Sequence, residues 1–186
     1  MTLASRSTGR LIAVVGPSGV GKDSVMAGLQ SVMPNLHLVR RVITRAPNLG
    51  GEEYKAVSVS QFEAMAKEGA FAVDWRAHGL HYGIPITVKY QLGNGTDCLV
   101  NFSRKALGQA AEIFPRLSVL NITAKPETIA DRLATRARET EGEISKRLAR
   151  ADRALPAGLT VINLANDGPL YQTIARGAAL LQPVSL

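Results

Sequence analysis

The 186-residue sequence is poor in cysteine, in aromatic residues and in long apolar runs, and each shortage excludes something. A single cysteine, Cys98, cannot close an internal disulfide, and beside three histidines it gives no zinc-ligand spacing. A cytoplasmic, reduced protein is the expectation. The first apolar run, Leu11 to Val15, stops at Gly16-Pro17, far short of the ~20 residues that cross a bilayer. Arg6 and Arg10 ahead of it imitate the basic start of a secretory leader, but the run is too short and no small-residue cleavage site follows. Aromatic residues are only 5% of the chain and stand at core-like positions. A basic stripe interleaved with stacking rings, the mark of a single-strand nucleic-acid binder, is missing. Acidic residues are also in the minority: 15 against 22 basic gives a net charge of +7, and 15 of the basic residues are arginine. That balance suits an anionic partner, whether nucleic acid, membrane surface or a phosphorylated small molecule. Arginine over lysine leans toward bidentate contacts with phosphate or carboxylate.

What is present points to one α/β domain. An apolar fraction of 46% excludes a disordered chain. Strand-like and helix-like segments alternate without internal repeats, which predicts a largely parallel sheet. The pattern places strands at Leu11–Val15, Cys98–Phe102, Leu117–Ile122 and Thr160–Asn163. Helices are expected from Lys22 to Met33, from Pro126 to about Arg138, from Glu143 to Ala154, and after Gly168-Pro169. Ser60-Gln-Phe-Glu63 reads as a capping box opening a short helix, and Pro85 as the first residue of another. Between about residues 36 and 90 short strands and turns break the rhythm, as expected of an acceptor-binding insertion in a core formed by about 8–35 and 91–186.

The strongest local signal is Gly16-Pro17-Ser18-Gly19-Val20-Gly21-Lys22, directly after a strand and directly before a helix. This is the G-x-x-x-x-G-K phosphate loop in its required setting. Its glycines let successive backbone N–H groups turn inward around a phosphate, and the helix N-terminus adds its positive dipole end. Lys22 is placed to reach the β- and γ-phosphates. The next position normally carries a Mg²⁺-binding hydroxyl; here it is Asp23, followed by Ser24. Asp23 can hold Mg²⁺ or one of its waters, or simply favour the helix start electrostatically. The acidic residue usual at the end of a central strand is missing: Cys98–Phe102 runs into Asn101, Ser103 and Arg104.

These residues occur in guanylate kinase order, and the resemblance covers about residues 10 to 182. Gly16–Lys22 is followed by Val42–Arg45, Gly51-Glu52, Ser60–Phe62, Gly69–Phe71, Tyr82-Gly83 and Arg147-Leu148. The resemblance implies a guanylate-kinase-like P-loop fold with an acceptor-binding insertion and an arginine-bearing lid at about 132–153. It implies that Arg45 and Tyr82 bind the acceptor's phosphate, with Tyr54 in the same pocket. Arg136 and Arg147 would reach the transferring phosphates, and Asn163 would lie by the adenine. Two places depart from guanylate kinases: the guanine-binding glutamate and serine are replaced by Val73 and Ile84. A further phosphate-binding arginine is Asn48. More specifically the chain resembles the ribose 1,5-bisphosphate phosphokinases of phosphonate metabolism. Gly16–Ser24 with its Asp23, Arg41–Arg45, Trp75–Pro85 and Val100–Arg104 all follow that family's motifs. That implies ATP and Mg²⁺ as cofactors and phosphorylation of the acceptor's 1-phosphate to give 5-phosphoribosyl 1-diphosphate.

Read for chemistry, the insertion and the neighbouring strand end offer Arg41, Arg45, Arg76, His78 and Arg104 to a doubly phosphorylated acceptor, with His81 nearby. Turn packing accounts for His78 and His81 equally well. Transfer to a phosphate oxygen needs no strong base, so positioning and charge cancellation by Lys22, Mg²⁺ and the lid arginines would carry it. Six arginines fall between Arg132 and Arg153, which suits a mobile lid or a charged helical hairpin laced with i,i+4 pairs. Three readings stand at this point: the ribose bisphosphate kinase, a nucleoside-monophosphate kinase such as a guanylate kinase, and a non-catalytic binding module of the same fold or a basic nucleic-acid binder.

Overall fold

Leu11-Ile-Ala-Val-Val15 is apolar at every position because both faces of the strand it forms are covered, and all five residues are at most 1% exposed. The computed structural model describes residues 8–47, 52–135 and 154–182, and the statements below concern those residues. The strand, β1 (Leu11–Val15), pairs in parallel with β7 (Asp97–Asn101) on one side and β8 (Leu117–Thr123) on the other. With β2 (Leu36–Leu38) and β9 (Thr160–Ala165) they make a parallel five-stranded sheet of order β2-β7-β1-β8-β9. One face, Ile12, Val14, Leu99, Leu120 and Ile122, packs on α1 (Lys22–Val32) and α6 (Leu170–Leu181). The other face packs Leu11, Ala13, Val15, Cys98 and Val100 on α3 (Val88–Gly93) and α4 (Leu107–Ile113). Burial, with Asp97 beside it, pushes the Cys98 thiol up to about 11, so it is a protonated core residue at neutral pH.

A second sheet, of order β4-β3-β6-β5, stands against that second face. It comprises β3 (Val42–Ile43), β4 (Lys55–Ala56), β5 (Phe71–Ala77) and β6 (Leu80–Pro85). Its hairpin turns through His78 and Gly79, whose φ values of 52° and 73° match the twist the two strands require. Strands β2 and β3, separated by only three residues of the chain, thus lie in different sheets. Helix α2 (Val59–Lys67) is capped two residues earlier than Ser60-Gln-Phe-Glu63 suggests. Ser58 accepts from the Gln61 amide at 3.1 Å and the Gln61 side chain accepts from the Ser58 amide at 2.8 Å. Pro85 ends β6 opposite Phe71 and does not open a helix; α3 begins at Val88. A proline is tolerated there because a strand end can spare one N–H. Helix α5 (Pro126–Thr135) contains the start of the expected lid, and the rest of that segment lies outside the described residues. No described helix is long and apolar enough to cross a membrane.

Candidate active site

The carboxyl ends of β1 and β7 and the inner edge of the second sheet enclose a cleft of about 1050 Å³. Sites at this edge are the rule in parallel sheets, because each strand delivers its following loop there. The loop after β1 adopts φ of 155°, 87° and 91° at Gly16, Gly19 and Gly21, values a side chain rarely permits. At Gly21 a Cβ would also meet Asn166 Nδ2 at 2.8 Å. Pro17, Ser18, Lys22, Asp23 and Ser24 line the cleft with these glycines. Val20 does not; it is fully buried beneath the loop. Its carbonyl accepts from Asn166 Nδ2 at 2.8 Å and from Arg132 Nη1 at 3.2 Å, which fixes the direction of the loop's peptide planes.

Lys22 Nζ donates to the carbonyls of Gly16 and Pro17 at 2.9 and 3.0 Å, folded back over the loop it follows. Its pKa is lowered from 10.5 to about 8, chiefly by burial and also by Arg41 and Arg104, against the opposing charges of Asp23 and Glu52. An anion placed in the loop would restore the full charge.

The floor of the cleft is a chain of contacts that links the loop to the second sheet. Asn101 Nδ2, at the end of β7, lies 3.5 Å from Asp23 Oδ1 and 3.4 Å from Glu52 Oε2. The Glu52 carboxylate takes both arms of Arg41, one of them Nε at 2.6 Å, and the Arg41 and Glu52 side chains are only 8% and 16% exposed. The Arg41 guanidinium lies 5.0 Å from the Tyr82 ring centre and 5.9 Å from that of Trp75. Trp75 stacks on both Tyr82 and Phe102. Beyond them Arg45 Nη2 reaches Tyr82 Oη at 3.5 Å, and its guanidinium sits 5.6 Å from the Tyr54 ring.

The structure therefore brings Lys22, Asp23, Arg41, Arg45, His78, Tyr82 and Arg104 to one cleft, although 82 residues separate the first from the last. Other expected site residues stand elsewhere. Arg76 alternates to the outer side of β5, 3.7 Å from Glu63 on α2. His81 gives its ring edge to Phe62 and its backbone to Thr44, so it serves the packing of sheet and helix. Asn163 lies away from the cleft lining and accepts from Asn121 Nδ2 at 2.9 Å; Asn121 in turn accepts from Arg104 at 3.4 Å. Val73 and Ile84 are cross-strand partners buried in the core at 1% and 0% exposure, so they do not wall the cleft; Trp75 and Tyr82 do. Arg136, Arg147 and Asn48 lie outside the described residues.

Three residues escaped the sequence reading as members of the site. Glu52 carried a signal only as part of Gly51-Glu52, yet it supplies the carboxylate that the β7 end lacks. Asn101 was a place where an acid was missing. Asn166 was marked only by the Asn-Asp-Gly-Pro turn at 166–169.

Mg²⁺, which the family resemblance implies, fits this donor set. No group of three or more His, Cys, Asp or Glu among the described residues could hold a metal by itself. Mg²⁺ in phosphoryl-transfer sites, however, takes one or two carboxylates and completes its shell with phosphates and water, and Asp23 is the carboxylate beside the phosphate loop that would serve.

No family model matches the chain. A ribose 1,5-bisphosphate phosphokinase PhnN of Ruegeria sp. (strain TM1040) is 49% identical over 179 residues, 96% of this chain and 94% of that protein. The protein of the same name from Rhizobium etli (strain CIAT 652) is 42% identical over 181 residues, 96% of this chain and 92% of its own. Among solved structures, guanylate kinase from Anaplasma phagocytophilum superposes with a TM-score of 0.65 at 18% identity, over 95% of this chain and 86% of its own. A gluconokinase from Sinorhizobium meliloti 1021 gives 0.54 at 15% identity, over 94% of this chain and 91% of its own. At such identities the structures bear on fold alone: it is that of the guanylate-kinase-like P-loop kinases. Identity near one half along almost the whole length settles the rest, and the chain belongs to the ribose 1,5-bisphosphate phosphokinase family.

Proposed function

We propose that this kinase transfers the γ-phosphoryl group of ATP to the 1-phosphate of ribose 1,5-bisphosphate, giving 5-phospho-α-D-ribose 1-diphosphate and ADP. The observation that carries the reading is the single cleft in which a left-handed glycine loop and Lys22 face the cationic edge of a second sheet. In this reading residues 36–90 are the acceptor-binding part of one domain, and the lid at about 132–153 brings Arg136 and Arg147 to the nucleotide.

The loop amides and the start of α1 bind the β- and γ-phosphates of ATP. Lys22 exchanges the carbonyls of Gly16 and Pro17 for phosphate oxygens and cancels charge as it develops. Asp23 holds Mg²⁺, directly or through its water, and the ion when bound neutralises charge between the β- and γ-phosphates. Arg45, with Tyr82 and Tyr54 beside it, holds one acceptor phosphate, and Arg104 faces the reacting one. The attacking oxygen is already anionic, so the residues' work is to bring two polyanions into line rather than to remove a proton.

The test is to incubate the protein with ATP, Mg²⁺ and a panel of acceptors (ribose 1,5-bisphosphate, ribose 5-phosphate, GMP, AMP) and to follow products by phosphorus NMR. A diphosphate signal formed from ribose 1,5-bisphosphate alone is the expected result. Turnover of a nucleoside monophosphate in its place would overturn the reading.

A further inference from the structure

We propose that Glu52 and Asn101 read the 2-hydroxyl of the acceptor's pentose, and so set the choice among pentose bisphosphates; this rests on the phosphokinase reading above. From the phosphate loop outward the contacts run Asp23, Asn101, Glu52, Arg41 and Tyr82, with Arg45 beyond. Arg41 is already engaged by Glu52, so a phosphate set against the Asp23 and Glu52 carboxylates would be repelled. A hydroxyl would not, because it donates to a carboxylate.

The spacing of the middle group suits such a hydroxyl. Asn101 is 8% exposed, and its amide nitrogen approaches both carboxylates at 3.4 and 3.5 Å, the outer limit of a hydrogen bond. A hydroxyl set against them accepts from the Asn101 amide and donates to Glu52. Long contacts between protein groups are then replaced by shorter ones to the ligand. Glu52 retains capacity for this, since a carboxylate has about four acceptor sites and Arg41 occupies only part of them.

The same contacts make the reader rigid. Arg41 grips Glu52 while its own guanidinium lies over Tyr82 and Trp75, so the carboxylate cannot swing away when its ligand is missing. A rigid polar pair discriminates, because a substrate without the hydroxyl leaves Asn101 with its long contacts alone and offers Glu52 no donor beyond Arg41. The 2-hydroxyl is selected over the 3-hydroxyl by place: Asn101 joins Glu52 to Asp23, the residue that follows Lys22 at the phosphate loop. The phosphate that reacts there is carried by carbon 1, and the adjacent carbon bears the 2-hydroxyl.

The experiment compares ribose, 2-deoxyribose and arabinose 1,5-bisphosphates as acceptors at saturating ATP and Mg²⁺, for the wild-type protein and for Asn101→Ala. The wild type is expected to prefer ribose over both analogues by roughly 30-fold or more in kcat/KM. Asn101→Ala should compress that ratio to within about threefold by losing more ribose turnover than deoxyribose turnover. Equal use of the three acceptors by the wild type would overturn the proposal, and that comparison needs no variant to fold. An equal loss for all acceptors in Asn101→Ala, with a raised Mg²⁺ requirement, would also overturn it and move Asn101 to the metal side of the site. If ribose 1,5-bisphosphate is not phosphorylated at all, the phosphokinase reading itself falls; if it is used no better than its deoxy analogue, only this proposal does.

Discussion

Lys22 shows how a single side chain is held ready at some cost to the fold. Its ammonium sits on the Gly16 and Pro17 carbonyls in a cleft that lowers its pKa to about 8. The unfolded chain keeps the proton up to about 10.5 and the folded chain releases it near 8. Between those values the unfolded state binds more protons, so stability rises with pH across this window, and the burial penalty is fully in force below it. Comparing urea midpoints from pH 8 to pH 10 should show the wild type gaining stability relative to Lys22→Met. Nucleotide binding should be accompanied by proton uptake near pH 8.5, read by calorimetry in buffers of different ionisation enthalpy; a buffer-independent enthalpy would contradict the assignment. Lys22→Met should lower kcat/KM roughly 10²–10⁴-fold with an unchanged circular dichroism spectrum. At the other end of the cleft, Arg45→Ala should raise the acceptor KM at least ~10-fold while nucleotide affinity is retained, because Arg45 follows β3 and packs with Tyr82 and Tyr54. A matching fall in nucleotide affinity would mean that the two ends are not separate.

At the scale of elements, the local chemistry of the termini and turns decides where the pieces begin. Ser58 and Gln61 close a reciprocal capping box at the start of α2, while Ser60 sits inside the helix. Ser58→Ala should therefore cost about 1 kcal/mol in chemical denaturation and Ser60→Ala less than about 0.5 kcal/mol; the reverse ranking would return the cap to Ser60. The packing of α1 on α6 depends on Gly28, where a Cβ would lie 2.1 Å from Ile174 Cδ1. Gly28→Val is expected to destabilise by about 1–3 kcal/mol through overpacking, measured by urea unfolding. Since α1 begins at the phosphate loop, that strain should also weaken nucleotide binding. The capping motif was legible to within a turn because its signature is two polar residues three apart, and this sequence offers two overlapping candidates.

For the whole molecule, the order of charge in the cleft predicts acceptor choice. Cations along the cleft and a wall whose charged groups, Arg41 and Glu52, are already paired should favour ribose 1,5-bisphosphate over GMP by at least ~100-fold in kcat/KM, about 2.7 kcal/mol of transition-state binding. The guanylate kinase resemblance puts Val73 and Ile84 at the places of the guanine-binding glutamate and serine. Both are core residues, and the wall of the cleft is formed by Trp75, Tyr82 and the Arg41–Glu52 pair. Steady-state rates for the two acceptors under one set of conditions decide the point.

The sequence by itself determined the parallel core, the phosphate loop and the kinase chemistry. Each is written in neighbouring residues: a strand apolar on both faces, three glycines at fixed spacing, a lysine at a helix start. It also fixed the candidacy of Arg41, Arg45 and Arg104, since motif order carries their positions. Only the tertiary structure decided which cations meet. Strand alternation turned Arg76 out to Glu63, the hairpin gave His81 to Phe62, and Val73 and Ile84 went into the core. It alone brought Glu52 across from the second sheet to the end of β7, where the chain shows no acid of its own. Such a meeting depends on how two sheets pack through residues far apart in the chain, and a pattern of adjacent residues does not encode that distance.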